Sequence, residues 1–350
     1  MFVGWREVRF ARGRFALMGG VIVLITMLVG LLSGLTEGLG KESTSAVTGL
    51  SADHLVFSAG ANTFESSSVS EQDGRRWAGQ PGVVVAEPIG ISPARATSGG
   101  QTAAVTLFGI VPGGQVSGLK TEVAPGEVVL SEAAAEELSV TAGGAISLGR
   151  GHFEVRSVEG EASFSHTPVV WTDVRDWRRL ASAGPGEATV LALRTDGSWQ
   201  PGEGTPGQAR SISESLSAIG SYTAENGSLQ LIRGFLFAIS AVVVGAFFTV
   251  WTIQRSGDVA VLKALGASDG YLLRDALGQA LVLLVGGTVL GSTLATVTGA
   301  LAQGTVPFVL DPATIGLPVL GMVLLGLAGA ALSIARITSV DPLTALGSAR

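Results

Sequence analysis

Cysteine is absent from the 350-residue chain. That excludes a disulfide framework, thiolate metal sites and thiol chemistry. Charge is also scarce. Asp, Glu, Lys and Arg make up 14% of residues, where a soluble domain carries about a quarter. Histidine occurs three times, at His54, His152 and His166, scattered and without H-E-x-x-H spacing. A zinc-hydrolase helix is therefore not encoded, and G-x-S-x-G is missing as well. The P-loop pattern G-x-x-x-x-G-K-[ST] is absent too. The single Gly-Lys pair, Gly40-Lys41, is followed by Glu42, and Leu35 stands where the first glycine belongs. The net charge of −6 disfavours nucleic acid, whose binding needs basic patches that displace counterions. These absences predict no catalytic residues and no intrinsic cofactor or metal centre.

What the chain has in excess is apolar residues, at 47%, with a mean hydropathy of +0.47 and 50 glycines. A bilayer core needs about 20 apolar residues as a helix. Four stretches meet that length: 15–36, 231–253, 276–300 and 315–335. Pro318 is expected in the first turn of the last one, where proline is tolerated. A signal peptide is the competing reading of the first stretch, but its apolar run exceeds an ordinary h-region.

Orientation follows from Lys and Arg. The arm 1–14 holds Arg6, Arg9, Arg12 and Arg14, the segment 254–275 holds Arg255, Lys263 and Arg274, and the tail 336–350 holds Arg336 and Arg350. The loop 301–314 holds none. Both termini are predicted to be cytoplasmic in a multi-pass protein of the cell membrane, with 37–230 outside. That outside segment carries 22 acidic and 12 basic residues. Its strand-like runs are HLVFSA, GVVVAEPI, AAVTLFGIV, EVVLS, AISLG, HFEVRSV, PVVWT and ATVLALR, separated by Gly, Pro and Asp. Helical stretches are expected at 132–138 and 173–183. The run 196–210 reads as a loop, and 211–230 as a helix leading into the second span. The predicted fold class is a four-helix membrane protein with an extracellular α+β domain inserted between helices one and two.

Specific residues carry a family resemblance. The stretch QRSGDVAVLKALGASDGYLLR, 254–274, resembles the cytoplasmic segment that follows span two in type VII ABC transporter permeases, the MacB, LolC/LolE and FtsX group. Arg255, Leu262, Lys263, Ala264, Leu265, Gly266, Ala267 and Ser268 match the pattern, and Asp258 stands where Glu is commoner. VDPLTAL, 340–346, is similar to the group's C-terminal motif, and 126–160 is similar to the second half of its outside domain (MacB-like). Chain length, the brief arm and the glycine-rich first span look like the haem exporters of the HrtB type. The resemblance implies a homodimer with two copies of a separate ABC ATPase that supplies ATP hydrolysis. It also implies a coupling role for Arg255, Asp258, Leu262, Lys263, Leu265 and Gly266. The implied activity is efflux of haem or a similar amphipathic molecule from the bilayer. The alternatives it leaves open are an antibiotic or peptide exporter, and an FtsX-like permease that activates an external partner.

Met27, Gly30, Gly34 and Glu37 are spaced three, four and three apart, one face of a helix. Two readings stay open. The face is a small-residue packing stripe, set against a partner protomer or against spans two and four. Or its glycines leave a flat slot for haem, with Met27 or Glu37 as the iron ligand and Arg233 pairing a propionate.

Overall fold

The computed structural model describes residues 12–200, 205–254, 257, 261, 265–302, 306–309 and 311–338. The chain divides into two compact units, 39–226 and 1–38 with 227–350.

The unit 39–226 is built on a 10-stranded sheet. Its elements in chain order are β1 (His54–Phe57), α2 (Glu71–Ala78), β2 (Val83–Ser98), β3 (Gln101–Ile110), β4 (Glu127–Leu130), α3 (Glu132–Glu137), β5 (Ala145–Leu148), β6 (Gly151–Val158), β7 (Ser163–Phe164), β8 (Thr167–Asp173), α4 (Val174–Ala181), β9 (Val190–Thr195), β10 (Gln208–Ser211) and α5 (Ile212–Ser215). The unit also takes in the end of α1 (Arg12–Thr48) and the start of α6 (Gly220–Gln254). The strand order is β10-β1-β9-β2-β3-β8-β4-β6-β5, with β7 on β8 and a second contact of β5 on β2. All eight strand-like runs form strands, because each alternates or clusters Val, Ile, Leu and Phe between turn residues.

The core lies on both faces of this sheet. One cluster gathers Phe57, Phe64, Phe108, Phe164 and Trp171, with successive ring centroids 4.9–5.7 Å apart. The other gathers Leu130, Leu138, Ile146, Leu148 and Trp177. Trp177 is seated on glycine. Gly90 and Gly109 face each other across β2 and β3, and a Cβ on either would collide with the indole. The indole Nε1 donates to Ser92 Oγ at 2.9 Å.

Three elements were not foreseen. Helix α2 is short and polar, and a capping box between Ser70 and Asp73 starts it. β7 has only two residues. β10 corrects the expectation that 196–210 is all loop: Gln208–Ser211 pairs antiparallel with β1. Its sequence, QARS, has none of the apolar alternation that marks a strand.

Among the described residues, four helices are long and apolar enough to cross a membrane, with spans Ala16–Thr48, Gly220–Trp251, Leu273–Ala302 and Pro312–Leu332. They lie on α1, α6, α7 (Asp269–Ala302) and α8 (Pro312–Thr338). Pro318 is a correction. The helix begins at Pro312, so Pro318 lies inside it and its missing N–H falls beyond the first turn. The buried centre joins Met18 and Ile22 of α1, Val244 and Phe248 of α6, Ala280 and Leu284 of α7, and Ala330 of α8.

Candidate functional site

Helix α1 and helix α7 meet through two rows of small residues. Gly30, Gly34 and Gly38 recur every fourth position on α1, and Gly287, Gly291, Ala295 and Gly299 do so on α7. A Cβ at Gly30 would lie 3.0 Å from Ala295 Cβ, and one at Gly291 would lie 2.6 Å from Val23 O. Small residues at this spacing let backbones approach closely in lipid. The α7 row carried the same every-fourth signal in the sequence and was not singled out.

The slot beside Gly34 is already filled. The Phe308 ring sits where Cβ atoms of Gly34 and Gly299 would be, and Pro307 O closes on Gly38. Val309 N–H donates to Gly34 O at 3.1 Å. The segment 306–309 thus folds onto α1. Within the chain, the neighbours of the glycine face are α7 and the segment after it, which corrects the expectation that it packs on spans two and four.

Glu37 is exposed, Gly30 and Gly34 are buried, and Met27 is half-buried. The cause is geometric. Four residues advance a helix by about 400°, so a glycine row at that spacing drifts about 40° per step. From Gly30 to Gly38 the contact line moves about 80° round the helix, and Glu37 stays behind. Arg233 is half-buried and donates to Gln230 Oε1 at 2.5 Å. Among the described residues no group of three His, Asp or Glu is arranged to hold a metal.

Of the expected coupling residues, Arg255, Asp258, Leu262 and Lys263 lie outside the described residues, as do the tail motif and the first eleven residues. Leu265 is 80% exposed, and Gly266 has φ +97°, a turn that glycine adopts without strain.

One polar cluster escaped the sequence reading. His166 sits at the tip of the β7–β8 hairpin. Its Nε2 is 2.9 Å from both Ser43 Oγ and Glu225 Oε2, and its Nδ1 is 3.5 Å from Glu42 Oε2. Nearby, Lys41 Nζ meets Glu161 Oε2 at 2.5 Å. The hydrogen bond and charge of Lys41 hold the Glu161 carboxyl below its ordinary value, against a small opposing effect of burial. The three contributing segments, 41–43, 161–166 and 225, lie more than 50 positions apart in the chain, so no local motif announces them.

Likeness to known proteins adds to this geometry. Residues 231–342 match the family model described as FtsX-like permease C-terminal. The chain carries an FtsX-like permease domain there and is similar along its whole length to ABC transporter permeases. It is 25% identical to the putative hemin transport system permease protein HrtB of Staphylococcus haemolyticus, with 99% of each chain covered. It is 24% identical to the uncharacterized ABC transporter permease Mb2592 of Mycobacterium bovis, again over 99% of each. The periplasmic region of MacB from Actinobacillus actinomycetemcomitans aligns at a TM-score of 0.37 and 14% identity, over 54% of this chain and 87% of that one.

Proposed function

We propose that the protein is the permease subunit of an ATP-driven exporter that moves haem, or a similar flat amphipathic molecule, from the bilayer outward. The observation that carries this reading is the full-length likeness to a permease described for hemin transport, on a chain with four apolar helices. The Lys and Arg distribution puts 37–230 outside, on the positive-inside rule. Two copies work as a homodimer, with two ATPase subunits docking on 254–275 through Arg255, Asp258, Leu262, Lys263, Leu265 and Gly266. ATP comes through those partners and haem is the cargo.

The cargo enters laterally from lipid. Glu37, exposed at the outer boundary, costs far less there than at mid-membrane and is the first candidate to touch the iron. Met27 is the second, and Arg233 meets a propionate. Gly30 and Gly34 shape the α1 surface between them, and a ring reaching Gly34 has to displace Phe308. Closure of the ATPases pushes on the coupling segment and narrows the cleft. A haem titration followed by the Soret band tests this. The native protein is expected to bind and the Glu37→Ala, Met27→Ala double variant to bind at least tenfold more weakly, about 1.4 kcal/mol. Unchanged binding by the variant removes these residues as ligands.

A second reading is favoured by the polar fastening of the β7–β8 hairpin to α1 and α6. A domain held to two helices by hydrogen bonds suits a permease that signals to an external protein, as FtsX-like permeases do by resemblance. A deletion strain with normal haem tolerance supports that reading over the first.

A further inference from the structure

The β7–β8 hairpin turns through Ser165 and His166, whose φ angles are +51° and +61°. This is the type I′ geometry that usually selects Asn-Gly, because a β-carbon disfavours it. Polar contacts hold both residues there. Ser165 N–H donates to Ser43 O at 3.1 Å, and His166 N–H to Glu42 O at 3.3 Å. Ser165 Oγ meets Ser221 Oγ at 2.9 Å. Glu42 and Ser43 belong to α1, and Ser221 and Glu225 to α6. One two-residue turn therefore grips the last turns of α1 and the first turns of α6.

The imidazole faces a carboxylate on each side. A neutral ring carries one N–H and one lone pair, while the imidazolium donates from both nitrogens. With the proton on Nε2, towards Glu225, the lone pair of Nδ1 faces the Glu42 carboxylate and repels it. A second proton on Nδ1 turns that repulsion into a second ion pair. We infer that the Ser165-His166 turn is a proton-dependent latch that ties the end of α1 to the start of α6, tight when His166 is charged and loosened when it is neutral.

The charged groups facing the ring are Glu42 from α1 and Glu225 from α6; Ser43 and Ser221 carry no charge. The neighbouring Lys41 is engaged by Glu161, from the β6–β7 connection. Lys41 holds that carboxyl below its ordinary value, so Glu161 stays ionised through the neutral range. A charged ring makes both ion pairs, so lower pH favours the closed latch. The device is independent of the cargo and operates under either functional reading.

Hydrogen exchange of the full chain in lipid nanodiscs tests it at about pH 6 and about pH 8, which bracket an ordinary imidazole titration. The reporters are the Ser165 and His166 amides, corrected for intrinsic exchange. Native protection is expected to be about fivefold greater at the lower pH, the size of one partly exposed ion pair. In His166→Gln that pH difference should vanish while β3 and β9 stay protected. Should that variant unfold, the Glu42→Gln, Glu225→Gln double variant is read in its place, with the same loss expected. Equal native protection at the two pH values overturns the latch, and so does a pH difference that survives in the variant read.

Discussion

Both units seat an aromatic ring between two glycines, and the two seats differ in how they are closed. In the 39–226 unit, Gly90 and Gly109 are cross-strand partners, and the Trp177 ring above them is 4% exposed. Its N–H is satisfied by Ser92. In the membrane unit, Gly34 and Gly299 lie on two different helices, and Phe308 enters from an irregular segment tied by the backbone bond from Val309 to Gly34. Phe308 is half-buried. The sheet holds its two glycines in register by hydrogen bonds outside the seat, so the first pocket exists before the ring fills it. The second depends on two helices held close by small residues, in lipid that supplies no hydrophobic drive between them. The ring in the first seat is framed by sheet register, and the ring in the second by helix packing and one backbone hydrogen bond.

The comparison predicts a graded series. Trp177→Ala is expected to destabilise most, by about 3–5 kcal/mol, because the buried seat empties and Ser92 loses its donor. Loss of cooperative unfolding by circular dichroism of the full chain would show it, and an effect under about 1 kcal/mol would put the two seats on a par. Phe308→Ala is expected to cost about 2 kcal/mol, less than a fully buried phenylalanine. Under the proposed export of a flat cargo it should also tighten haem binding several-fold by vacating the slot; unchanged Soret titration would show that cargo binds elsewhere.

Gly34→Ala probes the same seat from the other side. The added carbon collides with the Phe308 ring and should free the 306–309 segment, read as faster proteolysis there than in the native chain. The smallest effect is expected for Lys41→Ala, no more than about 1 kcal/mol for an exposed pair. Since Lys41 lowers the carboxyl of Glu161, the pair contributes above the ordinary carboxylate range. That contribution is lost as pH falls through the lowered value. Native and variant unfolding curves should therefore differ by a constant amount between pH 6 and 8 and converge in acid.

Much of this was legible in one sequence. The eight strands and the four membrane helices announced themselves through period and length, since each rests on its own apolar pattern. The short polar elements did not: β10 is a strand only because β1 offers it hydrogen bonds, and α2 is fixed by its cap. The glycine row on α1 was visible, and so was its meaning as a packing surface. Its partner was not, because the matching row lies more than 250 residues further on, at Gly287 to Gly299.

His166 shows the same limit more sharply. Read alone, it was one of three scattered histidines in a chain without a metal motif. In the fold it stands between Glu42 and Glu225, each more than 50 positions away.

By itself, then, the sequence determined the architecture of this protein: four apolar spans and one inserted α+β domain, both written in local composition and spacing. The tertiary structure alone decided what the glycine face of α1 meets, that Phe308 rather than a vacancy occupies its slot, and that one histidine holds two helix ends. The physical reason is that close approach and charge pairing depend on distances between segments remote in the chain, and local periodicity carries no information about those.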